Sequence, residues 1–286
     1  MCIRDSIFGT HSGQEFPAAL LQGIAERLGG SPPEDWARVE VYVNTRRMQR
    51  RLSHLFLQGP ARLMPKIHLV TDLAKSSTLS SLPMPVPALQ RRLEIAQLVR
   101  GLLSRVDGLA PRSAVFDLAK SLAALMDEMQ GEGIAPEAIT NLDVSDVSGH
   151  WERALQFINI VQHYFEGGAK PDVEARQRAC VLSLAESWKV SPPQHPIILA
   201  GSTGSRGTTF QLMMAIAGLP QGALILPGFD FDMPAPVWDK LADPKTSEGH
   251  PQFRFSRLLK SLGLVPTQVE AWAATPPKTP ARNKLI

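Results

Sequence analysis

Three stretches of this chain carry residues in patterns that could do chemistry. The first is Gly9-Thr10-His11-Ser12-Gly13-Gln14-Glu15, between a strand-like run at Ile7–Thr10 and a helical one. A phosphate-binding loop belongs at such a junction, because backbone N–H groups and the helix N-terminus both face an anion there. The working pattern is Gly, four residues, then Gly-Lys-Ser/Thr. Here Gln14 stands for the Lys and Glu15 for the Ser/Thr, and the first Gly is displaced by one. The β- and γ-phosphate charge is uncompensated, the hydroxyl ligand for Mg²⁺ is missing, and Glu15 puts negative charge where phosphate would sit. A plain strand-to-helix turn outweighs a working ATP site. The segment reads as a degenerate nucleotide loop whose remnants are Gly9, Thr10, Ser12 and Gly13.

The second stretch is the strongest physical signal. Arg46, Arg50 and His54 are spaced by four, as are Arg47 and Arg51, so on a helix they cover the arc opposite Met48, Leu52 and Phe56. Between Ala37 and Lys66 there are seven basic residues and one acid, Glu40, a local charge of 7 − 1 = +6. Four close guanidinium groups repel one another unless an anion lies near. Solvated surface and interaction surface are both open readings of such a face. Nucleic-acid backbone is the natural partner, since Arg suits bidentate phosphate contact.

The third is Gly201-Ser202-Thr203-Gly204-Ser205-Arg206-Gly207-Thr208-Thr209, after a buried-type strand and before a helix. In an open parallel sheet, ligands bind beyond the carboxyl ends of the strands. The hydroxyls of Ser202 and Thr203, the free N–H groups and Arg206 suit phosphate contact; a flexible turn with an N-cap at Thr208 is the equal alternative. A serine hydrolase is disfavoured, because Gly-x-Ser-x-Gly does not occur here. Asp127-Glu128 imitates the acidic pair of a Walker B strand, but the helical period of Leu118, Leu122, Leu125 and Met129 makes it exposed helix acid, and no metal is assigned to it. His68, His150, His163, His195 and His250 form no ligand spacing, and Trp151 and Trp188 fit helix–helix core positions.

These stretches need elements to position them. A helix near Gln14–Leu28, ended by Gly29-Gly30-Ser31-Pro32-Pro33, precedes a strand at Val39–Val43, a helix at Thr45–Gln58 and a strand at Lys66–Thr71. Strands alternating with helices at this interval mean βαβ units and a parallel sheet. After a Ser/Pro-rich linker at Leu79–Pro87, about a hundred residues are purely helical in period. Their inward faces are Leu89, Leu93, Ala96, Val99 and Leu103; then Val115, Leu118, Leu122, Leu125 and Met129; then a helix from Trp151 to Phe165; then Ala179, Leu182, Ala185 and Trp188. Strand signals return at Pro196–Ala200 and Ala223–Leu226, around a helix at Thr208–Ala217. Short helices come next near Val237–Leu241 and Gln252–Leu262, then a Pro-rich run at Thr275–Pro280. The reading is an α/β parallel-sheet domain interrupted by an all-helical insertion: 7–78 and 193–270 for the sheet, 79–192 for the insertion, and 271–286 for a connection onward. Met1–Ser6 joins poorly to the strand beginning at Ile7 and is set aside as non-native.

Composition excludes several classes. At 286 residues and 44% hydrophobic, wholesale disorder is out, and no apolar run reaches the ~18 residues of a membrane span. The start has no signal-peptide core, and Cys2 and Cys180 match neither a metal pattern nor a disulfide framework, so a reducing, cytoplasmic setting is expected. The net charge of +3 names no partner.

Five blocks in order carry a resemblance: Tyr42–Leu52 (Tyr-Val-Asn-Thr-Arg-Arg-Met-Gln-Arg-Arg-Leu), Leu122–Gly133 (Leu-Ala-Ala-Leu-Met-Asp-Glu-Met-Gln-Gly-Glu-Gly), Ser148–Glu152 (Ser-Gly-His-Trp-Glu), Ala200–Thr209 and Leu226–Asp232 (Leu-Pro-Gly-Phe-Asp-Phe-Asp). Together they resemble the amino-terminal part of the AddB family, the alphaproteobacterial-type subunit of the AddAB helicase–nuclease that processes double-strand DNA breaks. The likeness runs from about Ile7 to Ile286. It implies a P-loop NTPase-like core of superfamily-1 helicase type, degenerate as a motor, with a helical insertion. It also implies DNA as ligand and an AddA-type helicase–nuclease subunit as partner in a heterodimer. Family members are far longer, so the chain reads as a fragment. Their nuclease carboxylates, which use Mg²⁺, and their iron–sulfur cysteines have no counterpart here; two isolated Cys cannot supply a cluster. No cofactor and no catalytic residue is therefore expected in this portion. Its expected DNA contacts are Arg46, Arg47, Arg50, Arg51, Ser202, Thr203 and Arg206. The competing readings are an active nucleotide hydrolase with an atypical phosphate loop, and a docking face for the partner subunit.

Overall fold

The computed structural model describes residues 6–75, 82–135, 170–241 and 243–274, together with 137, 138, 156, 157, 160 and 164. By internal packing the chain divides into two units, Met1–Leu73 with Leu182–Ile286, and Ala74–Val181. The division lies near Leu73 and inside a helix at Val181, rather than at 78 and 192.

The first unit is a six-stranded, all-parallel sheet in the order β3-β2-β4-β5-β1-β6. Its strands are β1 (Ile7–His11), β2 (Glu40–Val43), β3 (Lys66–Leu69), β4 (Ile197–Ala200), β5 (Gly222–Phe229) and β6 (Glu270–Ala271). Its helices are α1 (Phe16–Leu28), α2 (Pro33–Arg38) and α3 (Arg46–Gln58), then α7 (Gly207–Ala217), α8 (Ala235–Lys240), α9 (Pro244–Ser247) and α10 (Phe253–Leu262). Val, Ile and Leu dominate the central strands because both faces of a parallel sheet are covered, which removes any polar alternation.

Connectivity fixes which helix covers which face. The steps β1→β2 and β2→β3 run one way across the sheet; β4→β5 and β5→β6 run the other way. Right-handed crossovers put the two sets of helices on opposite faces. Accordingly, Leu20 and Ile24 of α1 and Leu52 and Phe56 of α3 share a core with Phe8, Val41, Val43, Ile198 and Ile225. On the other face α7 packs on β4 and β5, burying Leu212, Met213 and Ile216. The direction reverses between the adjacent strands β2 and β4, and again between β1 and β5. Each reversal opens a crevice beyond the carboxyl ends of its strands, where ligands of such sheets bind.

Several details differ from the expected pattern. Pro32-Pro33 does more than end α1: Pro33, followed by Glu34 and Asp35, starts α2, which buries Trp36. β3 stops at Leu69, and Val70–Lys75 is a 3₁₀ turn. Ser6 is buried and its carbonyl accepts from Leu224 N–H, so it extends the β1–β5 ladder. Beyond residue 270 the chain is still sheet domain. β6 pairs with β1, and Trp272, only 2% exposed, donates from its indole to the Leu20 carbonyl at 3.0 Å. A Cβ at Gly23 would stand 2.3 Å from the Trp272 indole nitrogen, so only glycine admits the ring. Arg27 stacks over that ring at 3.7 Å and donates to the Trp272 carbonyl; the burial of its guanidinium pushes its pKa down.

The second unit contains α4 (Ala88–Arg105), α5 (Val115–Glu132) and the start of α6 (Val173–Val190). Ile95, Val99 and Leu103 pack against Leu122, Met126 and Met129. Leu89 and Leu93 are exposed; the buried stripe of α4 instead begins with Arg91. Arg91 pairs with Asp127 at 2.5 Å and Asp172 at 3.1 Å. Burial pushes the Asp172 carboxyl up, against the pull of the Ala175 backbone N–H and the Arg91 charge. On α6 the buried residues are Arg176, Gln177, Cys180 and Val181, whereas Leu182 is exposed and Trp188 half-buried. The helix expected around Trp151–Phe165 lies largely outside the described residues, as do Ser148–Glu152 and Thr275–Pro280. No described helix is long and apolar enough to cross a membrane.

Candidate nucleic-acid interface

The crevice between β2 and β4 is walled by the first turn of α3 and the loop Gly201–Arg206. Thr45 starts α3: its hydroxyl accepts from Met48 N–H at 3.2 Å, closing the first turn. Leu52 and Phe56 bury the opposite face, and Gln49 anchors the helix by donating to the Ile67 carbonyl at 2.7 Å. That orientation leaves Arg46, Arg47, Arg50 and His54 exposed. Arg46, Arg47 and Arg50 have no hydrogen bond or ion pair with a described residue. No acid stands in the first turn of α3. Two of the cations thus sit at the positive end of the helix dipole, a placement unfavourable by about 0.3–1 kcal/mol each until an anion compensates it.

Arg51 is different. Its Nε and a terminal nitrogen donate to Glu15 Oε1, at 2.9 and 2.5 Å. The arginine cluster predicted from spacing is therefore three cations without a partner among the described residues and one engaged.

The opposite wall is a folded loop. Gly201 takes φ +79°, and a Cβ there would meet the Phe16 ring at 3.1 Å. Ser202 is buried, and its Oγ accepts from Gly204 N–H at 3.1 Å, so its hydroxyl braces the loop from inside. Arg206 is exposed and occupies the N-cap of α7 without a side-chain cap bond; Thr208, expected as the cap, lies buried within the helix. Asn44, at the end of β2, donates to the Gly201 carbonyl at 3.4 Å and joins the two walls. Spacing alone did not single out that residue.

The crevice between β1 and β5 holds the degenerate loop and is filled by its own contacts. The Thr10 hydroxyl donates to the Leu226 carbonyl and accepts from Gly228 N–H, each at 3.3 Å. Ser12 donates to the Gly228 carbonyl at 3.3 Å, and the Gln14 side chain accepts from His11 N–H at 3.2 Å. A Cβ at Gly9 would lie 2.7 Å from Phe229 Cβ, so this glycine serves strand packing. Gly13 takes φ +80°, as the turn requires. Glu15 is the N-cap of α1 and carries its charge at the helix N-terminus. A nucleoside triphosphate with Mg²⁺ does not fit this set: the hydroxyls are occupied, Gln14 stands in place of the lysine, and the Glu15 carboxylate stands at the phosphate position and engages Arg51.

A further grouping lies at the amino ends of the strands. Glu40 of β2 faces His195 at 3.3 Å, His68 at 3.7 Å and Lys66 at 3.8 Å, and accepts from the Tyr42 hydroxyl at 3.1 Å. His68 and His195 are 127 residues apart in sequence and meet only because β3 and β4 both flank β2. Among the described residues, no group of three or more His, Cys, Asp and Glu is arranged to hold a metal ion. Asp127, the Walker B imitation, is on α5 and paired with Arg91. Neither protein-family models nor curated proteins match the chain.

Proposed function

We propose that this chain is a helicase-like, non-catalytic DNA-binding portion of an AddB-type subunit, acting in double-strand break repair beside an AddA-type motor. The observation that carries the DNA assignment is the set Arg46, Arg47 and Arg50. These three exposed cations have no partner among the described residues, and they line a crevice where parallel sheets place ligands. The resemblance over Tyr42–Leu52 and Ala200–Thr209 falls on the two walls of that crevice. Arg206 and Thr203 extend the cationic, hydrogen-bonding surface; Ser202 shapes the loop they stand on. Phosphate contacts position a duplex or strand without reading its bases, so binding is sequence-independent and salt-sensitive. A degenerate nucleotide loop in the neighbouring crevice supports a scaffold rather than a motor. Charge reversal of Arg46, Arg47 and Arg50 to Glu, followed by DNA titration against salt, tests the reading. Unchanged affinity and slope would remove α3 from the DNA path and leave the face to partner docking.

A further inference from the structure

The ion pair between Glu15 and Arg51 links the closed crevice to the open one. We propose that Glu15 is an internal counter-ion that masks Arg51, and that DNA phosphate displaces it. The proposal rests on the reading of α3 as the DNA-contacting helix. Arg51 stands one turn beyond Arg47, on the same helix face. Among the described residues it differs from Arg46, Arg47 and Arg50 in having an anionic partner. Two of its nitrogens converge on one Glu15 oxygen, the charge-assisted geometry that a phosphodiester oxygen also offers.

Both partners are accessible: the side chains are 41% and 52% exposed. Pairs of that exposure are weak and screened by salt, so a phosphate can replace the carboxylate. The released carboxylate also has somewhere to go. Glu15 is the N-cap residue of α1 but makes no cap bond. Its carboxylate can turn to the Ala18 N–H, the one capping donor left in the first turn because Pro17 has none, and there the dipole favours an anion. Binding thus exchanges one acceptor for another at Arg51. The exchange mutes the net cation of the free protein without blocking the ligand.

The test uses the whole chain with a fluorescently labelled duplex oligonucleotide, titrated over a range of salt. Glu15→Gln should tighten binding several-fold at low salt with the log–log salt slope unchanged, because Arg51 meets a phosphate in both proteins, whereas Arg51→Gln should flatten that slope by about 0.9. The same gain should vanish in the double variant Glu15→Gln with Arg51→Gln. A gain that persists in the double variant would mean a general field effect, and no gain would mean that Arg51 is not a phosphate ligand; either result overturns the masking. Reversal of Arg46, Arg47 and Arg50 without loss of binding is a separate result that sinks the underlying DNA reading. Thermal melting of each variant separates these outcomes from misfolding.

Discussion

The two carboxyl-edge crevices are made from the same parts, a strand end, a short loop and the start of a helix, but they treat an incoming anion differently. Beyond β1 and β5 the loop hydroxyls bond to backbone groups of β5, and the helix N-terminus carries Glu15. Beyond β2 and β4 the Ser202 hydroxyl turns inward to brace its own loop, and the helix N-terminus carries Arg46 and Arg47. A parallel sheet therefore offers equivalent positions at each topological reversal, and the side chains at the helix starts set the charge each one presents. Charge sign at one or two residues is what separates two otherwise similar crevices.

Removing a core ring gives the largest effect. Trp272→Ala deletes the ring that seats β6 and α1 beside the closed crevice, and should cost about 3–5 kcal/mol in urea denaturation. A cost near zero would detach the 270–273 segment from the fold. Reversing the charge of Arg46, Arg47 and Arg50 should weaken DNA binding by about two to three orders of magnitude at low salt. It should also flatten the salt slope by about 0.9 for each lost contact. Equal losses at every salt concentration would point to a contact other than backbone phosphate.

A pH experiment is gentler. The protein has two tyrosines. Burial, then the Glu40 charge and hydrogen bond, push Tyr42 well above the usual phenol range. Tyr164 is pushed up to about 12 by burial and by its hydrogen bond to Glu94. Phenolate absorbance should accordingly stay absent as pH passes about 10, where free tyrosine ionises. The folded chain then holds more protons than the unfolded one, so stability falls as pH rises beyond that point. Phenolate appearing near pH 10 in a chain that stays folded would contradict the burial of both groups. The smallest expected signal is none at all. ATP with Mg²⁺ should produce no measurable heat of binding, and micromolar binding abolished by altering Gly13 would reopen the closed crevice as a nucleotide site.

Local pattern made much of this architecture legible. Helical spacing located α3 and oriented its arginines, because Leu52 and Phe56 must face the core and the opposite arc must then face solvent. The broken loop was readable residue by residue, since the phosphate motif demands a lysine where Gln14 stands. Other features were hidden for physical reasons. Leu89 and Leu93 have the spacing of core, yet they are exposed. Ala96, Val99 and Leu103 of that stripe are buried, while Arg91, with its ion pairs, and Ile95 take the buried positions of the first turns. β6 is two residues long and has no periodicity to detect; its evidence is Trp272, whose role shows only against Gly23 of α1.

Residue order alone thus determined the helical and strand periods, the +6 segment and the absence of a lysine for phosphate, all of which depend on neighbours within a few positions. Tertiary structure decided the rest: that Glu15 meets Arg51 from 36 residues away, that Asn44 bridges to Gly201, and that His68 and His195 converge on Glu40. Strand order sets those meetings, and strand order follows from the total burial of the sheet and the handedness of its crossovers, which no short window of sequence contains.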